Sequence, residues 1–67
     1  MSYYKALESY YISQMDEAKA HLHTYFNHNV GIGEHSDLLS EFKKWIDVLT
    51  HAEEHLEVLK QHFKDYK

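Results

Sequence analysis

The chain has 67 residues, no cysteine, no proline and no arginine, and a formal net charge of −4 from seven Lys against eleven Asp and Glu. Its length allows one domain with a small core, and without cysteine it has neither disulfides nor a thiolate zinc site to staple that core. An acidic chain lacking arginine is ill suited to clamp phosphates or read base edges, so nucleic acid is not the expected partner. No apolar run approaches the roughly 18 residues of a membrane span, and the N-terminus lacks the apolar stretch of a signal peptide. A location in the cytoplasm is the expectation.

Both glycines, Gly31 and Gly33, fall in one short stretch, a distribution that fits a helical hairpin better than a β fold with many turns. The first predicted helix covers about residues 2–28, with Ser2 placed to cap its N-terminus. Its apolar stripe is read as Tyr4, Leu7, Tyr11, Met15, Ala18, Leu22 and Tyr25 or Phe26. One step of four stands where a strict heptad has three, which predicts a nearly straight helix of about 3.67 residues per turn. Tyr3, Tyr10 and Ile12 lie off that stripe.

The break is predicted at about residues 29–35. Asn29 and Gly31 suit the left-handed conformation that ends a helix, and Val30 or Ile32 suits the apolar contact of such a cap. Gly31-x-Gly33 lacks both a preceding strand and a third glycine, so it reads as a turn and not as a phosphate cradle.

The second predicted helix covers about residues 36–66, with Ser36 as its cap. Glu34, Asp37 and Glu41 sit at its positive end, and Lys60, Lys64 and Lys67 at its negative end. An unbroken heptad stripe marks it: Leu38, Phe42, Trp45, Leu49, Ala52, Leu56, Leu59, Phe63 and Tyr66. Leu39, Ile46 and Val48 widen the stripe in its first half, which predicts contact with more than one helix there. Glu53, Glu54, Glu57 and Lys60 flank its second half, which should be more solvated.

These features predict an all-α fold, a two-helix antiparallel hairpin. A single hairpin covers one side of each stripe, so the expectation is a homo-oligomer, in its simplest form a dimeric four-helix bundle. Its expected core is Leu38, Phe42, Trp45, Ile46, Leu49, Leu56, Leu59 and Phe63. Tyr3, Tyr4, Tyr10 and Tyr11 are a candidate partner surface, because tyrosine buries area at low entropic cost. Two adjacent residues cannot share one core, so one of each pair should face outward. The alternative is that these rings cap the open end of the oligomer core.

Seven histidines raise the question of a metal. His51-Ala52-Glu53-Glu54-His55 matches the H-x-x-E-H pattern of the inverted zinc peptidases. Two imidazoles four apart on a helix reach a common ion. A catalytic zinc also needs a third ligand and a cleft, which twelve further residues on the same helix do not supply, so no enzyme and no cofactor are expected. His51 and His55 remain candidates for a metal half-site, as do Glu17 and His21. Protonating all seven histidines would carry the formal charge from −4 to +3, so assembly or solubility is expected to change between about pH 7 and pH 5.

The segment Gly31-Ile32-Gly33-Glu34-His35-Ser36-Asp37-Leu38, with Ala52-Glu53, Val58-Leu59 and His62-Phe63 further on, resembles small helical proteins of unassigned function encoded by tailed phages, marine ones in particular. The resemblance spans about half the chain and carries no catalytic residue. It implies an accessory protein of the host cytoplasm. Three roles follow from the sequence: a non-enzymatic, self-associating module that binds an unidentified protein; a metal-binding bundle using the histidine pairs; and an RNA-binding bundle of the Rop type, an analogy of fold alone.

Overall fold

The computed structural model describes residues 2–27 and 36–67. It is an all-α hairpin of two helices, α1 (Tyr3–Asn27) and α2 (Ser36–Phe63), with a short 3-10 turn (Lys64–Tyr66) at the end. The predicted turn at residues 29–35, with Asn29, Val30, Gly31, Ile32 and Gly33, and the cap charge Glu34 lie outside the described residues, as does the side chain of Ser36.

Ser2 caps α1 as its sequence position predicts. Its Oγ accepts a hydrogen bond from the Lys5 amide at 3.2 Å, and its carbonyl takes the Ala6 amide at 3.1 Å. This removes one of the amide donors left without a partner at a helix start. At the other end of α1 the Asn27 side-chain amide donates to the His23 carbonyl at 2.8 Å, occupying one of the last free acceptors.

The helices run antiparallel in a single register. Tyr25 meets Phe42, His21 meets Trp45 and Tyr11 meets His55, so each advance along α1 is matched by an equal retreat along α2. The buried residues are Tyr4, Ala18, Leu22, Ala52, Leu56 and Leu59. Ala18 and Ala52 are the most deeply enclosed, at 0% and 1% exposure. A methyl side chain on the seam lets the opposing helix come close, and the register sets each alanine at the level of a larger residue, Leu49 or Met15.

The seam of α1 corrects the sequence reading. Leu7 is 41% exposed, while Glu8 is half-buried. The residues turned toward α2 are Tyr4, Glu8, Tyr11, Met15, Ala18, Leu22 and Tyr25, a strict alternation of four and three. Both helices thus follow the same 3.5-residue repeat, and the period near 3.67 is replaced by a heptad with one acidic member. A long charged side chain can hold such a position by laying its apolar stem along the seam. Tyr25 takes the last seam position, and Phe26 is 67% exposed.

The seam of α2 follows its predicted heptad as far as Leu59. Phe63 and Tyr66 are 48% and 74% exposed, and the α-helix ends at Phe63 instead of Tyr66. A 3-10 turn advances about 120° per residue against about 100° in an α-helix, so three residues swing Tyr66 roughly 60° off the stripe. The acidic and basic flanks of this half are exposed as expected, yet its seam holds the best-buried residues of α2.

The Cα envelope measures 50 × 16 × 14 Å, a rod two helices thick. Among the described residues no helix is long and apolar enough to cross a membrane.

Candidate interaction surfaces

Pairing two helices leaves much of each stripe in the open. Ten large hydrophobic side chains are exposed among the described residues, against six residues that are buried. The chain exposes 5344 Å². A compact monomer of its 8.1 kDa would expose about 4,500 Å². The excess, about 850 Å², goes with the elongated 50 × 16 × 14 Å form of the rod.

The exposed apolar groups are sorted by a simple geometric rule. Leu7 and Val58 precede a seam residue by one position; Ile12, Phe26, Leu39 and Ile46 follow one. A single residue is a rotation of about 100°, so the two sets stand on opposite flanks of the hairpin. Among the described residues an apolar groove lies on each flank. At the open end, a groove of about 570 Å³ lies between Tyr3, Leu7, Tyr11, Val58, Phe63 and Tyr66, with His55 on its wall. Toward the turn, a groove of about 500 Å³ on the other flank is lined by Phe26, Leu39, Phe42, Lys43, Ile46 and Asp47.

The tyrosine pairs split as neighbouring positions must. Tyr4 is 4% exposed and packs with Leu56 and Leu59. It is therefore a core residue, because it stands on the α1 seam, and what little of it is exposed lines the open-end groove. Tyr11 is half-buried. Tyr3 and Tyr10 are the accessible members, at 79% and 54% exposure. Tyr10 meets Tyr11 edge-on at 5.4 Å between centroids.

The expected oligomer core divides in the same way. Leu56 and Leu59 are used up within the hairpin. Leu38, Phe42, Trp45 and Leu49 are half-buried, while Ile46 and Phe63 are exposed. Trp45 lies against α1, where the His21 imidazole stacks on its indole at 4.1 Å and 12°. The Lys44 ammonium sits 4.9 Å from the ring centroid, within cation–π range. The indole Nε1 is enclosed and has no hydrogen-bond partner among the described residues. Next to this stack, the Tyr25 hydroxyl donates to Glu41 Oε1 across the helices at 3.2 Å, and Tyr25 and Phe26 both rest on Phe42.

The histidines with metal-ligand spacing are otherwise engaged or open to solvent. The rings of His51 and His55 lie 6.4 Å apart on an exposed face, and His55 also tilts against Tyr11 at 5.2 Å. His21 pairs with Glu17 at 4.0 Å while its face covers Trp45. Among the described residues no three His, Asp or Glu side chains converge on a point that would hold an ion. The grooves, and not these histidines, are the features that sequence reading did not locate; the signal was the apolar residue one step to either side of the seam. No protein-family model, curated protein or solved structure matches the chain.

Proposed function

We propose that the chain is a small non-enzymatic interaction module. It self-associates into a helical bundle, a dimer of hairpins in the simplest case, and presents aromatic side chains to a protein partner. The carrying observation is the apolar surface that two paired helices leave uncovered: ten exposed large hydrophobics among the described residues, eight of which line grooves on the two flanks. Monomeric soluble proteins rarely leave patches of this kind open. Of the four N-terminal tyrosines, Tyr3 and Tyr10 are the most accessible to such a partner. An accessory protein of a tailed phage, working in the host cytoplasm, is a role consistent with this architecture.

Native mass spectrometry on untagged protein, before and after chelation, tests this reading. The expected result is a metal-free dimer or tetramer that chelator leaves intact. A monomer overturns self-association. A stoichiometric metal whose removal dissociates the oligomer overturns the reading in favour of a bundle assembled through His51 and His55.

A further inference from the structure

We infer that the turn-end groove is the surface of self-association, and that a second copy seats on it across a two-fold axis with its own α2 antiparallel to the first. This rests on the self-association reading above and adds the location and geometry of the contact.

Charge on the rim selects both. The floor of the groove is Phe26, Leu39, Phe42 and Ile46, and its rim carries Lys43 and Asp47. These two residues stand one helical turn apart, and both are exposed. Among the described residues Lys43 and Asp47 do not lie within ion-pair distance of each other. A two-fold axis across α2 at the level of Trp45 sets Lys43 of each copy beside Asp47 of the other. Both contacts attract, Ile46 meets its counterpart between them, and Phe42 lies just beyond them at the level of the other copy's Val48. A parallel pairing would set lysine against lysine and aspartate against aspartate. The pattern is therefore self-complementary in one orientation, as a two-fold interface requires, and charge of this kind sets the register of an apolar contact. The open-end groove has no such pair in its lining, where His55 is the one polar side chain besides the tyrosines.

The test is sedimentation equilibrium of the full chain, with far-ultraviolet circular dichroism to confirm that each variant stays helical. Lys43→Glu and Asp47→Lys each put like charges together twice, and each should weaken dimerisation about tenfold or more. The double variant swaps the pair and should recover to within about threefold of the wild type. Ile46→Glu places a charge on the floor and should weaken association about a hundredfold or more while leaving the hairpin helical. Wild-type association in all of these variants would move the contact elsewhere and overturn this inference while leaving self-association standing. A monomeric wild type would remove the reading beneath it and leave the groove to a different protein.

Discussion

The two halves of the hairpin use the same repeat to different effect. Toward the open end, Tyr4, Leu56 and Leu59 are buried by the two helices alone, next to seam alanines that let the backbones approach. Toward the turn, Leu38, Phe42, Trp45 and Leu49 hold equivalent heptad positions, yet each is only half-buried. Two helices provide one seam, and an indole or phenyl ring there overhangs its edges. Side-chain size alone does not make the contrast, since the half-buried Leu38 and Leu49 match the buried Leu56 in size and the buried Tyr4 is larger; coverage by the opposing helix does.

The most direct way to break this contrast is to truncate one residue from each half. Leu56→Ala should cost about 2–5 kcal/mol, the range for a buried leucine. Leu38→Ala should cost about 1 kcal/mol in the monomer, since the removed area is partly wet already. Urea denaturation of both at low protein concentration compares them. Equal losses would mean the turn half is as well covered as the open half.

Trp45 sharpens the point from within the turn half. Trp45→Ala should destabilise by about 3 kcal/mol, the lower edge for aromatic truncation, because the ring is only half-buried. Dimerisation should weaken with it, since Phe42 and Ile46 lose their support. Trp45→Phe keeps an aromatic face for His21 and removes an enclosed N–H that has no acceptor. Its cost should stay below about 1 kcal/mol, because loss of ring area is offset by loss of an unmet donor. A thermal melt of the two variants separates packing from that polar cost.

Ala18→Leu attacks the opposite side of the comparison. The site is 0% exposed, and the added methylenes should force the helices apart at a cost of about 1–3 kcal/mol. Ser2→Ala is the mildest change. Losing the cap on α1 should cost about 1 kcal/mol and show as a small fall in helicity by circular dichroism.

The α2 heptad was readable because its apolar residues are long, regular and uninterrupted. The same pattern misled in α1. Leu7 and Glu8 are adjacent, and hydrophobicity favours Leu7 for the seam, but the backbone phase set by Tyr4, Tyr11 and Ala18 puts Glu8 there. Phase is a property of the whole helix, and one polar residue does not shift it. The end of α2 was hidden for a similar reason. A change from 3.6 to 3.0 residues per turn leaves Phe63 and Tyr66 at heptad spacing while rotating the ring away. Tyr4 and Tyr3 are identical side chains, so only their phase tells core from surface.

The 50 Å length of the rod sets the span between its two ends. Its two grooves lie toward opposite ends and on opposite flanks, held apart by helices that interlock level by level along their length. Because the seam repeats every seven residues, removing one heptad from each helix would preserve the pairing and shorten the rod by about 10.5 Å. The count of heptads thus fixes how far apart two molecules bound at its ends would be held.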